Sequence, residues 1–253
     1  MKRVLPLLFV LPLLATVIAL TPQPAAAVGG INLAWTDCGA AGTADKVVAC
    51  TSNSGANILV GSFATPIDMS QFNGISAVID VTTDTDPMVA WWNLQTGGCR
   101  AGSVSGSFDF TGGPFGPCTD IWAGAASGGT EYANPPSSTT SATAPITNHA
   151  RIRLVCAIAG TAPTLANGTE YYCFKVTIGN AKSTGTGSCA GCLNKACIVF
   201  NSLLLTQPAG VGDAIVTNAI GSQQVTWQGG AGASCASVPV RTKTWGQVKS
   251  LYR

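Results

Sequence analysis

Ten cysteines in a chain of 253 residues constrain the fold more than any other feature. They stand at positions 38, 50, 99, 118, 156, 173, 189, 192, 197 and 235, all downstream of a segment with the marks of a signal peptide. Lys2 and Arg3 precede an apolar run from Val4 to Leu20, and Pro22 and Pro24 lead into Ala25-Ala26-Ala27, which fits cleavage after small residues. Residues 1–27 are expected to be removed, leaving a mature chain that starts at Val28. The apolar run spans 17 residues and contains Pro6 and Pro12, short of the ~20 a spanning helix needs, so no membrane span is expected after cleavage. An even number of cysteines in a secreted chain, extracellular or periplasmic, implies up to five disulfides and no free thiol.

Spacing suggests two local bridges. Cys38–Cys50 would close a Gly/Ala-rich loop, and Cys99–Cys118 a loop containing Gly112, Gly113, Pro114 and Pro117. Cys156 and Cys173 invite a third, but strand parity opposes it: Ile152, Leu154, Cys156 and Ile158 share a face, whereas Tyr172, Phe174, Val176 and Ile178 leave Cys173 on the other. A bulge would be needed to bring the two together. Cys189, Cys192, Cys197 and Cys235 read as two disulfides of open connectivity, with a tetrathiolate zinc site as the alternative reading.

Strand-length apolar runs bounded by turn formers recur at 31–35, 47–51, 58–63, 75–81, 88–94, 152–158, 171–178, 197–205, 214–219 and 223–228. About ten strands without intervening helices predict an all-β, disulfide-bonded antiparallel sandwich, jelly-roll or immunoglobulin-like, with a short C-terminal helix. The sandwich is expected over 28–240 as one domain, with the Pro/Ser/Thr-rich stretch 134–147 as a long loop rather than a linker.

Lysine, arginine, aspartate and glutamate make up only 9% of the chain, which argues against disorder and against a nucleic-acid partner. Without Lys2 and Arg3 the chain holds 11 basic and 11 acidic residues, yet residues 241–253 carry +4 and no acid. In that basic tail Thr244 and Gln247 match a capping box. Trp245, Val248, Leu251 and Tyr252 fall on one helical face, with Lys249 and Arg253 near its C-terminal end. Such a helix docks either on the sandwich itself or on an anionic surface or receptor.

No catalytic constellation stands out. His149 is the only histidine and no G-x-S-x-G elbow is present. Glu131 and Glu170 are the only glutamates, and nothing in the sequence pairs them as glycosidase carboxylates. Asp80, Asp84 and Asp86 gather oxygen donors on an expected turn, where calcium is the one cofactor to consider, although the glycine and terminal glutamate of an EF-hand loop are lacking. Trp91 and Trp92, adjacent on an expected strand, should face opposite sides. One indole, extended by Trp122, could then form a ligand platform for a glycan.

The start of the mature chain, Asn32-Leu33-Ala34-Trp35-Thr36-Asp37-Cys38-Gly39, and its end, Thr244-Trp245-Gly246-Gln247-Val248-Lys249-Ser250-Leu251-Tyr252-Arg253, resemble a group of uncharacterised exported bacterial proteins. The Cys189-Ala-Gly-Cys192 segment followed by Cys197-Ile198-Val199-Phe200-Asn201 is similar to that group too. The resemblance implies export and a single folded unit, and brings no activity with it.

Two roles are therefore expected. One is a non-enzymatic extracellular binding or surface-structural module, with a glycan or cell-surface component as partner. The other is an extracellular hydrolase acting on a polysaccharide or other polymer. The fold alone does not separate them.

Overall fold

The computed structural model describes residues 29–38, 42–134, 147–159, 163–230 and Cys235. The expected signal segment 1–27, most of the Pro/Ser/Thr-rich stretch and the basic tail 241–253 with its expected helix lie outside these residues. Among the described residues eleven strands form, in chain order: β1 (Gly30–Trp35), β2 (Asp45–Lys46), β3 (Ala56–Ala64), β4 (Gly74–Thr83), β5 (Val104–Ser107), β6 (Ala126–Ala133), β7 (His149–Ile158), β8 (Glu170–Gly179), β9 (Ala196–Thr206), β10 (Ala214–Val216) and β11 (Gln224–Trp227). Among the described residues no helix is long and apolar enough to cross a membrane.

The strands make two sheets. One has four strands in the order β1-β3-β8-β5, and the other seven in the order β2-β11-β9-β4-β7-β6, with β10 also pairing β9. All pairings are antiparallel except β2 with β11. The expected sandwich is what forms, with more strands than the roughly eight of a jelly roll. Period-two alternation explains the packing. Ile75, Ala77, Ile79 and Val81 of β4 and Ile152 and Leu154 of β7 turn inward. They meet Val176 and Ile178 of β8, and Phe174 packs edge-on to Phe200 of β9 at 5.1 Å between ring centroids. β6 and β7 pair with each other, so the Pro/Ser/Thr-rich stretch joins two neighbours in one sheet.

Two sequence expectations about elements are corrected. Residues 47–51 lie beyond the two-residue β2, and residues 90–92 form a 3₁₀ turn instead of a strand. Conversely β5 and the Gly/Ser-rich β6 carry no apolar alternation and were invisible to a pattern search. Glycine serves them sterically: a Cβ on Gly106 would collide with the Thr130 hydroxyl, where β5 passes β6.

The disulfides differ most from expectation. They join Cys38 to Cys118, Cys50 to Cys192, Cys99 to Cys189 and Cys197 to Cys235. The local bridges Cys38–Cys50 and Cys99–Cys118 do not form, because each of these cysteines sits in a loop whose spatial neighbour is distant in sequence. Cys189 and Cys192 go to different partners and fasten one β8–β9 loop to two other loops. The zinc reading falls with them, since all four of its sulfurs are in disulfides. Cys156 and Cys173 are buried free thiols, contrary to the expectation of none. The bulge that parity demanded is present: Ser62 pairs Tyr172 and Gly61 pairs Phe174, so Cys173 is the extra residue. Four disulfides indicate an oxidising environment, extracellular or periplasmic.

Candidate functional site

The aromatic platform is not there. Trp91 and Trp92 are both 0% exposed and Trp122 is 1% exposed. Successive residues of a 3₁₀ turn diverge by about 120° rather than to opposite faces, and the 90–92 turn lies over β11, so both indoles reach Trp227. Trp91 stacks on it at 4.8 Å and Trp92 meets it edge-on at 5.7 Å between centroids. Trp122 lies against Phe72 and Phe108 and donates to the Cys173 carbonyl at 2.9 Å. These rings are core.

Nor do the three aspartates converge. Asp80 is inside β4, whereas Asp84 and Asp86 are exposed beyond its end, Asp86 accepting a hydrogen bond from Thr147. Among the described residues no group of three or more His, Cys, Asp or Glu side chains is placed to hold a metal. Glu131 lies on β6 of the larger sheet and Glu170 on β8 of the smaller, where it accepts from Ser62 at 2.6 Å.

What the structure assembles instead is a polar cluster on the outward face of the seven-stranded sheet. Asp80 pairs across β4 with Arg151 of β7 and Val199 of β9, and the adjacent row is His149, Thr82, Cys197. The Arg151 guanidinium donates twice, Nε to Oδ1 at 2.7 Å and Nη2 to Oδ2 at 2.9 Å. Asn201 is the extra residue of a bulge in β9, because Val78 pairs Ser202 and Ile79 pairs Phe200. That bulge aims its amide at Asp80 Oδ2. His149 Nε2 lies 3.3 Å from Asp80 Oδ1, within ion-pair reach but not aligned as a hydrogen bond.

Burial pushes the Asp80 carboxyl up, yet the contacts from His149 and Arg151 outweigh it and hold it below its ordinary value. The carboxylate is thus ionised and charge-paired with Arg151. An aspartate beside a histidine is also half of a nucleophile-activating relay. The other half is not assembled, for no hydroxyl or thiol among the described residues hydrogen-bonds His149. Through Asp80 the cluster ties β4 to β7 and β9.

A second buried charge, Arg100, sits on the inner side. Its guanidinium lies 3.6 Å from the Trp91 ring centroid and donates to the carbonyls of Ala181, Trp91 and Gly179. Desolvation lowers its pKa to about 10, still cationic at neutral pH. Sequence reasoning singled out Asp80 and His149 separately and missed Arg151, Asn201 and Arg100. The available signals were an arginine after the lone histidine in a period-two strand and an asparagine inside an apolar run.

No known family model matches the chain, and no curated protein matches it either.

Proposed function

We propose that this chain is a secreted, non-enzymatic binding or surface-structural module, delivered by its N-terminal segment and stabilised for life outside the cytoplasm by its disulfides. One observation carries the reading. Part of the outward face of the seven-stranded sheet stays open and carries exposed apolar side chains. There Val155 of β7, Ser76 of β4, Leu204 of β9 and Ile215 of β10 form one row across four strands. Val155 is 53% and Ile215 69% exposed. A flat, partly apolar sheet face with Arg153 and Ser202 in the next row suits a macromolecular partner at the cell surface better than a small substrate.

The test uses the mature disulfide-bonded protein on washed cell envelopes and a glycan array, beside a panel of chromogenic polymer substrates. Retention without product release is expected, and Val155→Lys with Ile215→Lys should abolish retention while leaving the thermal midpoint unchanged. Release of product from any polymer, or retention indifferent to both lysines, overturns the proposal.

A further inference from the structure

Two of the four bridges end in one short turn. Cys189 reaches Cys99 and Cys192 reaches Cys50, so a C-x-x-C pair is held apart by partners 90 and 142 residues away. Cations surround the first bridge. Lys182 donates from Nζ to the Cys99 carbonyl at 2.8 Å, and the Lys182 carbonyl accepts from the Cys189 amide at 2.8 Å. Arg100, which follows Cys99, is bonded to the carbonyls of Gly179 and Ala181. Among the described residues neither cation is ion-paired with a carboxylate, so both favour a thiolate formed beside them. At the second bridge Gln228 Nε2 donates to Cys50 Sγ at 3.6 Å. The Cys38–Cys118 bridge is the opposite case, for the Cys38 amide donates to the Asp37 carboxylate at 2.7 Å, and that charge opposes a thiolate.

Backbone strain gathers at the same place. Among the described residues five that are not glycine have positive φ, and three of them are Cys50 at 59°, Lys182 at 58° and Gln228 at 58°. Such conformations persist only where the surrounding structure holds them, and they concentrate at switch regions.

We propose that Cys99–Cys189 is a thiol-reactive disulfide, the entry point of an exchange with a dithiol reductant that ends with Cys189 joined to Cys192 and with Cys50 and Cys99 as thiols. Cys99 is half-buried and Cys189 buried, so the incoming thiolate attacks Cys99 Sγ. The Cys99–Cys189 bond breaks and its electron pair leaves on Cys189. That thiolate attacks Cys192 Sγ, two residues beyond it in a turn with a glycine at φ 103°, where so short a loop closes readily. Cys50 is expelled as a thiolate and takes a proton from water. The second thiol of the reductant then closes on the mixed disulfide and releases Cys99. One dithiol is oxidised, one protein disulfide is reduced, and the other is moved into the turn. Both long-range bridges are lost together, freeing the loops of Cys50 and Cys99 from the turn whose Ala190 and Cys192 carbonyls accept from Trp91 and Trp227.

The tryptic peptide 183–195 holds Cys189 and Cys192 and no other cysteine, which makes the exchange readable by mass. The mature protein is treated with one equivalent of dithiothreitol, quenched in acid, unfolded and labelled with N-ethylmaleimide. Cys156 and Cys173 take label in every sample. The expected result is label on Cys50 and Cys99 together, with peptide 183–195 unlabelled and lighter by two hydrogens than its dithiol form. Lys182→Met should slow this by about threefold and Lys182→Arg should leave it unchanged, because a leaving thiolate departs faster beside a cation. Opening of Cys38–Cys118 or Cys197–Cys235 first overturns the proposal. So does label on Cys189 with Cys50–Cys192 intact, or an equal rate in all three forms.

Discussion

Arg100 shows how a single residue can look functional and be structural. A buried guanidinium with no carboxylate beside it among the described residues is tolerated because three carbonyls and the Trp91 face take its donors. Lysine cannot offer that planar fork, so Arg100→Lys should cost about 2–3 kcal/mol, since buried acceptors lose their partners, as read from urea unfolding. Asp80 makes the complementary case. Its folded pKa lies below the unfolded one, so the stabilisation it contributes is complete above the ordinary carboxylate value of about 4. It is lost as pH falls through the lower folded value. Asp80→Asn should destabilise the protein by about 3 kcal/mol near neutrality, because it leaves Arg151 without its carboxylate. It should also flatten the acid limb of the stability profile. An unchanged acid limb in urea titrations would show that other carboxylates govern it.

At the level of the element, the sequence was legible where burial imposes a period and silent where it does not. β4 was read to within a residue at its start because its inward residues alternate strictly. β6 was missed because Ala126-Ser127-Gly128-Gly129 pairs as an edge strand with no apolar face. The 90–92 turn was misread for the opposite reason: Met88–Leu94 is apolar but for Asn93, and a short apolar run does not distinguish strand from turn. That misreading created the ligand platform, so the candidate site failed with the element. Both indoles being core, Trp91→Ala and Trp92→Ala should each cost about 3–5 kcal/mol, measured by chemical denaturation. A variant that keeps full stability would return its ring to the surface. The bulges were illegible for a different reason. Which residue is extra depends on the partner strand, so nothing local marks Cys173 or Asn201.

For the whole molecule, compartment and fold class followed from cysteine number and periodicity, while connectivity did not, because a disulfide records spatial neighbourhood and chain separation is a poor guide to it. The observed bridges span 80, 142, 90 and 38 residues, so they constrain the unfolded chain far more than the local loops first expected. Loop-closure entropy gives roughly 5 kcal/mol for Cys50–Cys192 and roughly 4 kcal/mol for Cys197–Cys235. Cys50→Ala with Cys192→Ala should therefore lower the denaturation midpoint more than Cys197→Ala with Cys235→Ala. The remaining two cysteines give the sharpest check on this frame. Burial raises the Cys156 thiol to about 11 and pushes the Cys173 thiol well above its ordinary value, so almost no thiolate exists at neutral pH and neither can attack a disulfide or an alkylating reagent. The native protein should take up no iodoacetamide, and the unfolded, unreduced protein two equivalents, at Cys156 and Cys173. Peptide mapping that finds labels on any of the other eight cysteines, or none after unfolding, would require a different set of bridges.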